Sequence, residues 1–198
     1  MITRLTALIC LALSVMACSV NPVTGKNEFS LVSEAQELSI GQAQYQPSQQ
    51  SQGGRYYIDP KLQTYIQEVG NKLAAVSDRP DLPYDFVVLN NSVPNAWALP
   101  GGKIAINRGL LTHLDSEAEL AAVLAHEIVH AAARHGAKQL TRGTLLNAGA
   151  KALGAALQDS SYAKAANIAT QVGGTAWMAS YGRAAELESD AYGMQYMA

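Results

Sequence analysis

The sequence predicts an α+β fold that is mostly α-helical, with one small antiparallel sheet between helical segments. Apolar residues recur at helical spacing between residues 33 and 77 and again from residue 116 onward. Three short, β-rich runs separated by turn formers lie between them. The length of 198 residues and the 48% content of hydrophobic residues suffice for one domain with a buried core.

The N-terminus has the pattern of a secretory signal that ends in a lipidation site. A short basic start precedes an apolar run over residues 5–16, which is too short to span a bilayer. Ala17 then precedes Cys18, and this ending resembles a bacterial lipobox. We expect a lipoprotein signal peptide over 1–17 and acylation of Cys18; the alternatives are an ordinary signal peptide or a buried apolar helix. By resemblance to Gram-negative lipoproteins, Ser19 after the cysteine suggests sorting to the outer membrane.

Composition argues against two classes of function. Removal of Cys10 with the signal and acylation of Cys18 would leave no free thiol, which excludes cysteine chemistry. The formal net charge is −2 and no cluster of Lys or Arg occurs, so we expect no nucleic-acid partner.

The first half of the chain contains a tether and two helices. Residues 18–30 are rich in turn formers and are expected to tether the lipid to a domain over 31–198. The run Ser33–Gln36 fits a capping box and predicts a helix to about Tyr45. The polar run 47–54 then reads as a loop.

A second helix and the predicted sheet follow. Asp59 and Pro60 have the sequence of a helix start, and the helical period continues to about Ser77. Because two or three strands are not stable alone, the sheet must pack on helices. Its predicted strands are Tyr84–Leu89, Ala96–Leu99 and Lys103–Asn107.

The stretch 143–179 is apolar and contains several glycines. Lys151 and Asp159 divide it into pieces shorter than the roughly 20 residues of a membrane span. We therefore interpret it as closely packed core helices, with Trp177 in the core, rather than as a membrane hairpin.

The segment 124–130, LAHEIVH, has the spacing of a metal site on a helix. Histidines at positions i and i+4 lie one turn apart, so His126 and His130 can reach one ion. Glu127 lies on the same side, where it can accept a proton from water. This combination is typical of a zinc peptidase, whereas a surface helix with scattered histidines is the less specific interpretation.

Two further histidines fit a third ligand position poorly. His135 lies about 140° from His130 if the helix continues, so it is expected to cap the helix C-terminus before Gly136. His113 precedes the N-cap of this helix and is expected on the connection from the sheet. A carboxylate is therefore the better candidate.

The carboxylates near the end of the chain supply candidates. Glu186, Asp190 and Arg183 share one helix face, whereas Glu188 points about 200° away from Glu186. This spacing favours Glu186 as the ligand, with the other two behind it. A solvated ladder of charges on a surface helix is the alternative.

Four segments together resemble a known family. In chain order they are NPVTGKNEFSLVSEAQELSIG, NAWALPGGKIAINRGLL, EAELAAVLAHEIVHAAARHG and GRAAELESDA. They are similar to the zinc metallopeptidase family of the CaaX prenyl protease and HtpX, in its periplasmic lipoprotein branch (BepA-like or LoiP-like). The resemblance implies a zincin-type (gluzincin) domain whose sheet packs on the active-site helix.

The resemblance also implies roles for individual residues. It implies that one zinc ion is bound, with His126, His130 and Glu186 as its protein ligands. Glu127 would be the catalytic base, Asp190 the acid that supports Glu186, and Arg183 a residue that helps to orient the site. In this family an edge strand above the metal binds extended substrate, so the segment 101–107 would hold a peptide.

The implied function is that of a zinc-dependent metalloendopeptidase of the bacterial cell envelope. It would face the periplasm, anchored by lipid to the outer membrane, and degrade misfolded or misassembled envelope proteins, in possible association with the outer-membrane assembly machinery. The alternative is a zinc-stabilised chaperone or client-binding module with latent or no proteolytic activity. The family usually continues beyond the position of Ala198, so we expect the domain to be truncated at its C-terminus.

Overall fold

The computed structural model describes residues 18–157 and 181–198. The signal peptide predicted over 1–17 and Trp177 lie outside the described residues, as do residues 158–179 of the apolar stretch 143–179. No helix within the described ranges combines the length and the apolar character that crossing a membrane would need.

Six helices and five strands occur in the described part of the chain. The helices are α1 Glu34–Ser51, α2 Pro60–Ala75, α3 Arg108–Leu111, α4 Glu117–Ala132, α5 His135–Leu157 and α6 Arg183–Tyr196. The strands are β1 Cys18–Val20, β2 Asn27–Phe29, β3 Asp85–Leu89, β4 Ala96–Leu99 and β5 Lys103–Asn107. The predicted α+β, mostly α class is confirmed.

The first two helices begin where the sequence predicts them. Ser33 and Gln36 form a reciprocal capping box, and the Asp59 carboxylate accepts backbone N–H bonds at the start of α2. However, α1 continues past Tyr45 to Ser51 and includes Pro47, in part of the segment predicted as a loop. Proline costs the helix one hydrogen bond there, and the helix ends only before Gly53 and Gly54, which both have positive φ.

The segment predicted as an irregular tether contains a small hairpin. Strands β1 and β2 pair antiparallel, with Ser19 opposite Glu28. The turn between them buries Asn21, whose side-chain oxygen accepts the backbone N–H groups of Val23 and Thr24. These bonds give a short polar segment a fixed conformation.

The main sheet is mixed rather than antiparallel. Its strand order is β3-β5-β4, with β5 parallel to β3 and antiparallel to β4. All five residues of β5 are buried, so this strand takes the central position. The predicted peptide-binding edge at 101–107 is therefore wrong, because β5 has a neighbour on each side. The outer strands are β3 and β4, and side chains of α2, Gln63 and Gln67, already bond the outer backbone edge of β3.

The core lies between α2, the sheet and α4. Ile66 of α2, Ile104 and Ile106 of β5, and Leu124 and Ile128 of α4 are at most 1% exposed. Close packing of these side chains fixes α4 against the sheet, which determines where its opposite face points. On the other face of the sheet, the buried Trp97 packs edge-on against Tyr45.

Candidate metal centre

Helix α4 carries the predicted metal-binding motif. Its N-terminus is capped by Ser116, whose side chain accepts the backbone N–H of Glu119. Leu124 and Ile128 are fully buried on the core side of the helix. His126 and His130 therefore point to the other side, where α6 crosses α4.

Helix α6 approaches α4 closely because a glycine lies at the contact. A Cβ atom on Gly193 would lie 3.1 Å from the backbone nitrogen of His126, which is tighter than ordinary packing. The missing side chain thus allows the two helices to pack backbone against backbone. This packing brings the first turn of α6, which contains Glu186, next to both histidines.

The three predicted ligands come together in one cluster. The Nε2 atoms of His126 and His130 are 2.9 Å apart, and the Glu186 carboxylate lies 3.3 Å from the first and 3.9 Å from the second. One donor atom from each residue lies within 4.8 Å of the others. Among the described residues no other set of three or more such side chains meets this criterion.

The donor set fits a zinc ion. Two ligands at about 2.1 Å from a tetrahedral ion are about 3.4 Å apart, which is close to the separations in the cluster. Two imidazole nitrogens and one carboxylate oxygen are ligands that zinc accepts in catalytic sites, where a fourth position stays open. The Glu186 side chain remains 39% exposed, so the cluster opens to one side.

Glu127 lies beside the cluster and lines a cleft with His126. Asn95 and Ala96 at the start of β4 line the same cleft, as does Ser189 of α6. Burial, with a smaller contribution from the Glu186 carboxylate, raises the pKa of Glu127 to about 8. A carboxyl group with a raised pKa is suited to accept and return a proton near neutral pH.

Each clustered histidine is held through its second ring nitrogen. His126 Nδ1 lies 2.9 Å from the Asp190 carboxylate. Asp190 was expected to support Glu186, but it faces the first histidine instead. His130 Nδ1 lies 2.8 Å from Nδ1 of His135, a residue expected at a helix C-terminus away from the site.

The position of His135 follows from a break in the helix that the sequence pattern does not reveal. Helix α4 ends at Ala132, and α5 begins at His135. Arg134 between them has φ of 60°, in the left-handed region that non-glycine residues rarely adopt. The Arg134 Nε donates to the buried Glu37 carboxylate at 2.8 Å, and a terminal nitrogen donates to the Val32 carbonyl.

Glu188, which sequence spacing placed away from the ligand face, contacts the site from its other side. Its carboxylate oxygen lies 3.2 Å from His135 Nε2 and accepts a hydrogen bond of 2.8 Å from the Asn21 amide. Burial lowers the pKa of His130 to about 2, with the neighbouring His135 and His126 acting in the same direction. Neutral imidazole is the form that binds metal.

Tyr181 covers part of the centre just before α6. Its ring stacks on His130 with centroids 4.1 Å apart, and its hydroxyl donates to the Ala98 carbonyl at 3.0 Å. The sequence reasoning missed this residue, although its position five residues before Glu186 was a possible signal.

Three other residues named in the sequence analysis do not belong to the cluster. Arg183 is exposed in the first turn of α6, and no side-chain bond joins it to Glu186 or Asp190 in the structure that is described. His113 contacts the Gly109 carbonyl on the connection from the sheet, as expected. Cys18 begins β1.

A helix with two histidines, a carboxylate as the third candidate ligand and a buried neighbouring glutamate have the arrangement of a metallopeptidase centre. Comparison with known proteins agrees, because residues 60–198 match peptidase family M48. The chain belongs to this family, which confirms the predicted resemblance.

Several curated relatives share part of the chain. A β-barrel assembly-enhancing protease of Yersinia pestis is 34% identical over 119 residues, which is 60% of this chain and 24% of the relative. A putative β-barrel assembly-enhancing protease of Vibrio cholerae is 34% identical over 145 residues, which is 71% of this chain and 30% of the relative. The mitochondrial metalloendopeptidase OMA1 of Schizosaccharomyces pombe is 35% identical over 120 residues, which is 60% of this chain and 36% of the relative. The chain thus matches about a quarter to a third of the length of these relatives.

Proposed function

We propose that this chain is a zinc-dependent metalloendopeptidase of the bacterial cell envelope that degrades misfolded or misassembled envelope proteins. The observation that carries the proposal is the cluster of His126, His130 and Glu186 beside the buried Glu127. Membership of peptidase family M48 supports the same activity.

In the proposed reaction, water attacks a peptide carbonyl, giving a new carboxylic acid and a free amine. When bound, a zinc ion supplies the Lewis acidity that polarises the carbonyl, and its charge favours the ionised form of Glu127. Glu127 accepts a proton from the attacking water and later passes it to the leaving amine. Asp190 holds the His126 ring through its Nδ1, which leaves Nε2 directed at the cluster.

We propose that substrate binds in extended form along β4. Asn107 N–H donates to the Asn95 carbonyl, so alternation along this antiparallel pair directs the polar groups of Ala96 and Ala98 away from β5. A peptide added at this edge would be held by main-chain hydrogen bonds, which tolerate many sequences. The Tyr181 hydroxyl already donates a hydrogen bond to the Ala98 carbonyl. A peptide must therefore displace this hydroxyl to pair along the full strand.

We also propose a periplasmic location, with Cys18 acylated and the lipid inserted in the outer membrane. The relatives named β-barrel assembly-enhancing proteases support a role near the outer-membrane assembly machinery. Incorporation of labelled fatty acid into the full chain, compared with a Cys18→Ser variant, tests the anchor directly. Equal labelling of both proteins would refute it.

The activity is tested by zinc content and by cleavage of an unfolded protein. Glu127→Gln should retain zinc but lose cleavage, because the proton acceptor is absent. Glu186→Gln should bind zinc more weakly, because a ligand is lost. Glu68→Gln, an exposed residue of α2, is the matched control and should behave as wild type. Equal cleavage by Glu127→Gln would refute the mechanism, and a zinc-binding wild type without cleavage would favour the client-binding alternative.

A further inference from the structure

We propose that His135 and Glu188 are positioning residues for the metal ligand His130, and that the N-terminal hairpin, Cys18–Phe29, completes their support through Asn21. The inference rests on the proposed metal centre. It assigns to the segment next to the predicted lipidation site a direct part in holding that centre. The residues involved come from four separate elements, which are β1–β2, α4, α5 and α6.

The direction of the hydrogen bonds follows from the position of the metal-facing atom. His130 Nε2 faces His126 and Glu186, so the ring proton of neutral His130 is on Nδ1. This N–H can donate only if the facing Nδ1 of His135, at 2.8 Å, is unprotonated. His135 must then carry its proton on Nε2, which faces the Glu188 carboxylate at 3.2 Å.

The opposite assignment would leave two N–H groups facing each other. If Nδ1 of His135 carried the proton, neither ring could accept from the other at 2.8 Å, and Glu188 would face a bare nitrogen. The Glu188 carboxylate therefore selects the tautomer of His135. That tautomer in turn fixes the orientation of the His130 ring, as a carboxylate does for many metal-binding histidines directly.

The hairpin holds Glu188 in place. Asn21 is 1% exposed, although it belongs to a turn near the start of the described residues. Its amide nitrogen donates to Glu188 at 2.8 Å and to Glu28 at 3.3 Å, while its oxygen accepts within the turn. Both polar atoms of the Asn21 side chain are therefore hydrogen-bonded. The turn fixes the orientation of the amide, so that its nitrogen points at α6.

A second set of contacts closes the hairpin onto α5. The Lys138 ammonium lies 2.7 Å from the Glu28 carboxylate, one turn after His135. Leu31 N–H, just after β2, donates to the Thr141 hydroxyl at 3.0 Å. The hairpin thus contacts both helices that carry the support of His130, and its displacement would free Glu188 and His135 together.

The test is zinc affinity, measured by competition with a chelating dye, in the full chain. Loss of an outer hydrogen-bond partner typically weakens metal binding by about 10- to 100-fold. We expect losses in this range for Glu188→Ala and for Asn21→Asp. The aspartate keeps the shape and the turn bonds of asparagine, but a charged oxygen that repels the Glu188 and Glu28 carboxylates replaces the donor. Glu188→Gln should bind within a few fold of wild type, because an amide oxygen can still accept both bonds.

The visible spectrum of the cobalt-substituted protein gives a second readout. The band positions of cobalt report ligand geometry, so they should shift in Glu188→Ala and return toward wild type in Glu188→Gln. Tyr196→Phe is the matched control on the same helix, since it removes a hydrogen bond to Asp78 remote from the metal centre. It should change stability without changing zinc affinity or the cobalt spectrum.

The outcomes separate this inference from the proposed function. A wild-type chain that binds no zinc would overturn both. If wild type binds zinc and both Glu188→Ala and Asn21→Asp bind it equally well, the positioning role is overturned while the metal centre stands. If only Asn21→Asp binds as wild type, the contribution of the hairpin is overturned. Where Glu188→Ala does not fold, the zinc affinity and cobalt spectrum of Asn21→Asp decide the result.

Discussion

The buried carboxylate of Glu37 should be one of the most sensitive positions for stability. It is fully buried in α1 and accepts hydrogen bonds from two arginines, Arg79 at 3.1 Å and 3.3 Å and Arg134 at 2.8 Å. The side chains of Arg79 and Arg134 are only 12% and 7% exposed. Removal of the carboxylate would leave two largely buried positive charges without their partner.

The magnitude follows from that burial. Breaking a buried ion pair by removing one partner costs about 3–5 kcal/mol, and the Glu37→Ala variant affects two such pairs. We therefore expect its free energy of unfolding to fall by at least about 3 kcal/mol. Glu37→Gln keeps the shape and one acceptor oxygen but loses the charge, so its loss should be intermediate. Equilibrium urea unfolding followed by circular dichroism measures both changes.

A neighbouring residue provides the control. Glu34 lies on the same helix and its carboxylate is 4.0 Å from the same Arg79, but its side chain is 68% exposed. Exposed pairs contribute only about 0–1 kcal/mol, so Glu34→Ala should be nearly neutral. If Glu37→Ala and Glu34→Ala differ by less than about 1 kcal/mol, burial is not what makes the Glu37 network important.

Three further predictions concern the metal centre. In chelator-treated protein, burial raises the pKa of Glu127 from 4.5 to about 8, so the folded state holds a proton that the unfolded state has lost. The free energy of unfolding should therefore fall as the pH rises from 4.5 to about 8. Glu127→Gln should flatten that fall in urea titrations; an unchanged slope would contradict the burial argument. Tyr181→Phe should lower the KM for an unfolded protein, since it frees the Ala98 carbonyl; a higher KM would assign the hydroxyl to substrate binding. Gly193→Ala should cost about 1–3 kcal/mol by overpacking the contact between α4 and α6, and zinc affinity should fall with it.

The parts of the site that lie on single helices could be predicted from the sequence. His126, Glu127 and His130 share one side of α4 because helix geometry alone requires it. The same geometry favoured Glu186 over Glu188 as the carboxylate in the cluster. The caps at Ser33 and Asp59 are likewise local, and each begins a helix as predicted.

The sheet illustrates what local patterns leave undetermined. The three strands occur close to their predicted bounds, because alternation and turn residues define strands locally. Their order depends on which strand is buried on both sides, and that is a property of the whole fold. The placement of β5 between β3 and β4 moved the proposed peptide-binding edge from Lys103–Asn107 to Ala96–Leu99.

The break at Arg134 has a cause that lies far away in the sequence. A helical period continues through AAARHG, and no glycine or proline occurs before Gly136. The left-handed residue is an arginine whose side chain is held by Glu37, 97 positions earlier. The buried ion pair with Glu37 thus offsets the backbone strain at Arg134. Because Glu37 lies outside any short stretch of sequence around the motif, the break cannot be predicted from that stretch.

The same break explains how two carboxylates on different sides of α6 serve one centre. Spacing places Glu186 and Glu188 about 200° apart around α6, so a single straight helix could not contact both carboxylates. Because the chain turns at Arg134, His135 begins a new helix and returns its ring to within 2.8 Å of His130. Glu186 then meets the histidines of α4 directly, while Glu188 meets His135 at the start of α5. The centre therefore lies between α6 and the bent pair α4 and α5, and both faces of α6 contribute to it.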